Sequence, residues 1–278
     1  MHMQGSNSKA SAGLFPSNPV YDRKNIAIQG LNLGRLGHVR VLYEDNHLLV
    51  LSKPACVPTV PDSSKDMSLL DWGKMYLKKT RSKPGNVFLG VVHRLDRPVS
   101  GVVCFAVTSK AASRLSDHLR THRMSKTYLA LTKKKPPSEH GVLEHIIKKN
   151  NAKNIVRVIS PGSTETGGKF AYTSWELLEA KENIYLLELK PETGRSHQLR
   201  VQCAAMGCPL IGDVKYGAES PLPDASIGLH AYKLEFLHPV RKEELSISTP
   251  PPDSGPWRPF TKYFFTKSTK FRTAGIVP

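Results

Sequence analysis

Short runs of β-branched and aliphatic residues, parted by turns, constrain this chain more than any other feature. Val39 to Tyr43 alternates, with Val39, Val41 and Tyr43 on one face. Glu44-Asp45-Asn46-His47 reads as a turn and Leu48 to Leu51 as the returning strand, which Lys53-Pro54 ends. The pattern continues at Val102 to Val107, Lys126 to Leu131, Leu143 to Ile147, Gly228 to Leu237 and Leu245 to Ser248. Phe170 to Leu178 and Ile184 to Leu189 predict an antiparallel pair with its turn at Ala180 to Asn183. Helical spacing predicts only three helices. Ser68 caps one running to Lys79, with Leu69, Leu70, Trp72 and Met75 inward, and Ser109 caps another running to His122, with Ala112, Leu115 and Leu119 inward. The third spans Ser196 to Met206, with Gly207 just past its end. Strands that outnumber helices and connect by turns predict an α+β fold, a mixed, largely antiparallel β-sheet flanked by helices.

Charge narrows the partner. The chain has 278 residues, with 40 Lys+Arg against 23 Asp+Glu, a formal net charge of +17. Such an excess favours a polyanion through phosphate neutralisation and counterion release. The basic residues mix with His, Tyr and Trp instead of forming one solvated run, which points to nucleic acid. Cys56, Cys104, Cys203 and Cys208 form no CxxC pair, so no metal site is expected and a reduced compartment is the simplest reading. No apolar run approaches the roughly 18 residues of a membrane span, so no membrane partner is expected.

The organisation expected is a flexible N-terminal arm over 1–36, a catalytic domain over 37–260 and a basic tail over 261–278. The arm is poor in acids, with only Asp22. A cytoplasmic location is expected, with a mitochondrion or other organelle as the alternative if the arm is a transit segment.

Three segments carry candidate chemistry. His93-Arg94-Leu95-Asp96-Arg97-Pro98-Val99-Ser100-Gly101 sets one carboxylate among cations at a strand entrance. Lys126-Thr127-Tyr128 opens a strand, and Pro191-Glu192-Thr193-Gly194-Arg195-Ser196-His197-Gln198-Leu199-Arg200 feeds a helix. On that helix His197, Arg200, Val201 and Ala204 share one face. A guanidinium buried there requires an anionic partner, and Asp96 is the candidate. Gly162 to Lys169 is not a phosphate loop, because its spacing to Gly-Lys is too long and Phe170 stands where Ser or Thr is needed. Taken singly, Asp96, Tyr128 and Arg200 would each be read as structural; their co-occurrence makes the functional reading.

Together these segments resemble the signature motifs of the RluA-like pseudouridine synthases: an HRLD loop ending in Ser-Gly, a Lys-x-Tyr strand and a TGRxHQ[LI]R helix start. Ser52-Lys53-Pro54, Gly212-Asp213-x-x-Tyr216-Gly217 and Leu229-His230-Ala231 match further motifs in order, so the resemblance runs from about Val39 to Pro250. It implies the pseudouridine synthase fold with a central active-site cleft. It implies Asp96 as the catalytic carboxylate, Tyr128 as the aromatic that stacks on the target base and Arg200 as the partner of Asp96. Arg94 would help displace the target nucleotide and Leu229 would pack against the flipped base. Lys53 and His93 join the RNA- and substrate-binding positions, Lys53 as an RNA-facing or structural cation and His93 as a hydrogen-bonding group. Val99 and Gln202 depart from the Thr and His frequent in the family.

The implied reaction breaks a carbon–nitrogen glycosidic bond, turns the uracil and rejoins it through carbon. No redox change occurs, so no cofactor is expected. The substrate would be a uridine in structured ribosomal or transfer RNA, the enzyme a monomer. The stretch before the first hairpin is too short for an S4 domain, so further RNA contacts are expected from Lys133 to Lys153 and Lys262 to Arg272. The alternatives are a non-catalytic RNA-binding or assembly factor, and a nuclease using His93 and Asp96.

Overall fold

Among the described residues every strand joins one eleven-stranded sheet, and the order of its strands decides where a cleft can open. The computed structural model describes residues 34–82, 84–261 and 264. In chain order the elements are β1 (Arg40–Glu44), β2 (Leu48–Lys53), α1 (Leu69–Thr80), β3 (Gly90–Val91), β4 (Ser100–Ala106), α2 (Ser109–Arg120), β5 (Met124–Thr132), β6 (His140–Asn150), β7 (Ile155–Val158), β8 (Lys169–Lys181), β9 (Ile184–Pro191), α3 (Gln198–Ala205), β10 (Leu229–Leu237) and β11 (Glu244–Ser248). Short 3₁₀ turns lie at Gly34–His38, Val214–Tyr216 and Gly255–Phe260. The strand order is β1-β2-β4-β10-β5-β9-β8-β6-β7, with β11 added to β10 and β3 to β4. All pairings are antiparallel except β4 with β10. The α+β reading therefore holds.

β2 and β4 are buried along their whole length because both faces are covered. Leu49, Leu51, Val103 and Phe105 pack with Leu69, Trp72 and Leu77 of α1. The alternate residues Leu48, Val50, Val102, Cys104 and Ala106 pack with Ala111 and Leu115 of α2. Further along the sheet, Leu129, Leu131 and Leu186 are covered by Trp257, Phe260 and Phe264. The parallel β4–β10 contact depends on Gly101. Its φ is +124°, and a Cβ there would stand 2.2 Å from the Ala231 carbonyl oxygen.

Several predicted details change. Ser68 does cap α1, in a capping box with Asp71, but Tyr76 and Leu77 are buried where Leu70 and Met75 are only half-buried. The cap of α2 is Thr108, whose hydroxyl accepts from the Ala111 amide, so Ser109 is already helical. α3 starts at Gln198, because His197 takes a left-handed conformation that ends any earlier helix. β6 extends well beyond Leu143 to Ile147, and β7 was not predicted. The expected arm and tail fall almost wholly outside the described residues.

Candidate active site

A cleft of about 640 Å³ opens on the side of the sheet where β5, β10, the loop before β4 and the loop before α3 meet. Asp96, Tyr128, Arg200, Arg94, His93 and Leu229 all line it. Tyr128 lies opposite Ala231 in the β5–β10 register, and Leu229 opposite Ala130. The strands thus set a phenol and an apolar wall side by side.

The loop carrying Asp96 is pinned on both flanks. Thr59 donates through its hydroxyl to the Leu95 carbonyl at 2.9 Å and accepts from the Leu95 amide at 3.2 Å. The Arg97 carbonyl accepts from the Cys56 amide at 2.7 Å and from Lys53 Nζ at 3.0 Å. The Arg97 side chain turns outward to Ser64, Asp62 and Asp66. The Val99 amide donates to the Asp96 carbonyl at 3.0 Å, which closes the turn.

On the other wall, two buried glutamines dock α3 onto β8. Gln198 Oε1 accepts from Thr193 and from the Arg195 amide, and its Nε2 donates to the Tyr172 carbonyl and Thr173. Gln202 donates to the carbonyls of Leu143 and Ala171 and accepts from Thr173 at 2.7 Å. The departure at Gln202 thus has a role: it binds three groups of the neighbouring strands.

Docked this way, α3 delivers Arg200 to the cleft floor at 7 % exposure. The guanidinium bridges two carboxylates. It grips Asp213 in bidentate fashion, Nε to Oδ2 and Nη2 to Oδ1, both at 2.7 Å, and reaches Asp96 Oδ2 through Nη1 at 3.2 Å. Burial disfavours its charge, but Asp213 and Asp96 together hold its pKa above the ordinary value. The Tyr216 ring lies 5.0 Å from the guanidinium carbon. Burial, and then the charge of Asp96, push the Tyr128 phenol well above the usual range, so it stays protonated.

Of the two readings of Lys53 only the structural one fits the fold, and His93 is a hydrogen-bonding group as expected. Lys53 does not face a ligand. It is 1 % exposed, and Nζ donates to the carbonyls of Val57, Arg97 and Pro54. Burial lowers its pKa to about 7, opposed by Cys56 and Asp96. It braces the Asp96 loop from behind. His93 lines the cleft, but its Nε2 accepts the Cys104 amide at 2.9 Å. That bond continues the β3–β4 ladder past Val91, and burial lowers the imidazole to about 4. His93 is therefore neutral, with its acceptor nitrogen committed to the fold. Arg94 is exposed on the rim.

The prediction of Asp96 as the partner of Arg200 was half the arrangement. Asp213, in the Gly-Asp motif, is the nearer partner, a role that the sequence does not reveal. His197 and Tyr216 also join the site. The side chain of Lys126 reaches the same cleft, where burial lowers its pKa.

Residues 47–205 match a family described as RNA pseudouridylate synthase. An uncharacterised RNA pseudouridine synthase of Bacillus subtilis, YhcT, is 34% identical over 218 residues, covering 78% of this chain and 70% of that protein. Ribosomal large subunit pseudouridine synthase C of Rickettsia typhi is 31% identical over 210 residues, covering 74% of this chain and 66% of that protein. The chain thus spans about two thirds of the length of such relatives. Among solved structures, human RNA Pseudouridylate Synthase Domain Containing 1 shares the fold, with a TM-score of 0.63 and 24% identity over 90% of this chain and 100% of that one.

Proposed function

The chain belongs to the RNA pseudouridylate synthase family, and we propose that it isomerises uridine to pseudouridine in structured RNA with Asp96 as the catalytic carboxylate. Ribosomal RNA is the favoured substrate over transfer RNA, since several relatives are named for the large ribosomal subunit. The observation that carries the role of Asp96 is the Asp96–Arg200 contact at 3.2 Å in a cleft that also holds Tyr128. Two carboxylates line this cleft, Asp96 and Glu192, and only Asp96 is paired with a buried guanidinium.

The geometry suits a flipped nucleotide. Extruding a base costs roughly a few kcal/mol, and an aromatic platform returns about 1–3 kcal/mol by stacking. Tyr128 is that platform and Leu229 the apolar wall beside it. Arg94, exposed on the rim, stands where a side chain can occupy the vacated place in the helix. Arg200 orients the carboxylate against the base and sugar while the glycosidic bond breaks and reforms through carbon. The domain from 37 to 260 is the catalytic unit in this reading, acting as a monomer. A nuclease is disfavoured, because His93 Nε2 already accepts the Cys104 amide and is not free to take a proton.

Mapping pseudouridine in the RNA of cells that lack the protein tests the proposal. One or more sites are expected to disappear, to return with the wild-type chain and to stay absent with Asp96→Asn. Full restoration by Asp96→Asn would sink it. Bound transcripts with no site lost would favour an RNA-binding factor.

A further inference from the structure

Three observations converge on His197. First, its backbone is left-handed, with φ 49° and ψ 20°, a conformation that L side chains resist. Glycine would sit there without strain, so the imidazole is what the position supplies. Second, its Nδ1 lies 2.7 Å from the Tyr216 hydroxyl, which also accepts the Val156 amide at 2.9 Å. Third, its Nε2 faces Asp96 Oδ2 at 3.9 Å, with the side chain 8% exposed.

The proton order follows from the donors. Val156 N–H occupies one lone pair of the Tyr216 oxygen. The phenol proton then needs an acceptor, and among the described residues His197 Nδ1 is the partner in place. A neutral ring must therefore carry its proton on Nε2, toward Asp96. Burial favours the neutral ring, as do Arg200 of α3, Lys215 beside Tyr216 and Lys149 of β6, with Asp96 opposing them. Arg200 and His197 both address Oδ2, and no described residue bonds Oδ1.

We propose that His197, locked in one tautomer by Tyr216, is a positioning residue that turns Asp96 so that Oδ1 meets the nucleotide. The inference rests on Asp96 being the catalytic carboxylate. Protonation of His197 breaks the device. An imidazolium cannot accept the Tyr216 proton, and it pairs with Asp96 at the expense of the substrate.

The test uses the full chain and an RNA transcript bearing a uridine that it modifies, with kcat, KM and their pH dependence measured. His197→Ala is expected to lower kcat about 10-fold or more with KM for RNA within about twofold, the signature of an interaction that matters at the transition state. His197→Gln, which restores an N–H near the Nε2 position, is expected to recover most of kcat and to remove the His197 contribution to the acid limb of the profile. Tyr216→Phe keeps the ring over Arg200, and is expected to lower kcat and move that limb to higher pH. Should His197→Ala fail to fold, His197→Gln with a wild-type thermal melt carries the test. An unchanged kcat and acid limb in a folded His197 variant overturns the proposal. A wild-type chain that forms no pseudouridine in any RNA overturns the reading of Asp96 beneath it instead.

Discussion

Arg200 is held by two acids of different standing. Asp213 is 1% exposed and chelates it, whereas Asp96 is partly open to the cleft and touches one nitrogen. The first contact fixes the guanidinium, and the second holds Asp96 at the cleft by one oxygen. Removing one partner from a buried ion pair typically costs about 3–5 kcal/mol, because the remaining charge is stranded. Asp213→Ala is therefore expected to lower unfolding free energy by roughly that amount and to abolish activity, as urea titration and RNA assays would show. A loss under about 1 kcal/mol would mean that Asp96 alone holds Arg200. At this scale the sequence singles out Asp96, Tyr128 and Arg200 only through their co-occurrence in three motifs, and the fold brings all three to one cleft. Asp213 is not singled out, since nothing in Gly-Asp-x-x-Tyr says that the acid folds back under a helix 13 residues earlier. The sequence leaves Lys53 between an RNA-facing and a structural cation for a related reason. A lysine beside a proline looks solvated until the fold surrounds it with three carbonyls.

Those carbonyls join Lys53, at the end of β2, to the loop that leads into β4. The ammonium satisfies acceptors on Pro54, Val57 and Arg97, and each acceptor stranded in the interior costs about 1–3 kcal/mol. Lys53→Met is expected to destabilise the protein by roughly 3 kcal/mol or more while leaving the salt dependence of RNA binding unchanged. A wild-type melting temperature with a salt slope shallower by about one would instead make Lys53 a phosphate contact. The helix that faces this loop was predicted with its correct face but begins two residues late, because the left-handed backbone of His197 serves the site before it serves the helix. β6 and β7 were underread for a different reason. In β6 only Leu143 and Ile147 are buried, so the exposed alternate face hides a long strand among polar residues. The buried strands β2 and β4 carry aliphatic residues on both faces and were plain from sequence.

The whole molecule carries a net charge of +17, yet the described residues include imidazoles held neutral, among them His230 in the interior and His93 at the cleft wall. His93 and His230 both fall to about 4 from an ordinary 6.5, chiefly through burial. His93 accepts the Cys104 amide, while His230 bridges Ser100 of β4 and the Thr249 carbonyl next to β11. Above pH 6.5 both states are neutral and the contribution is intact, whereas between 6.5 and 4 the unfolded chain binds the protons that the folded one refuses. Stability is therefore expected to fall as pH drops through that window, by up to about 3 kcal/mol per histidine. Urea midpoints at pH 7 and pH 4.5 check this, and His230→Asn should flatten the slope. A midpoint that does not move would show that these imidazoles charge freely inside the fold. The same sheet that buries His230 sets Asp96, Arg200 and Tyr128 around one cleft. The most direct measurement of what that cleft does is tritium release from RNA labelled at carbon 5 of uridine, since forming the new carbon bond expels that atom. The wild-type chain should release tritium in step with pseudouridine formed, and Asp96→Asn should release none above background. Release undiminished in Asp96→Asn, or no release by the wild-type chain from any cellular RNA that lacks its modification, would contradict the account.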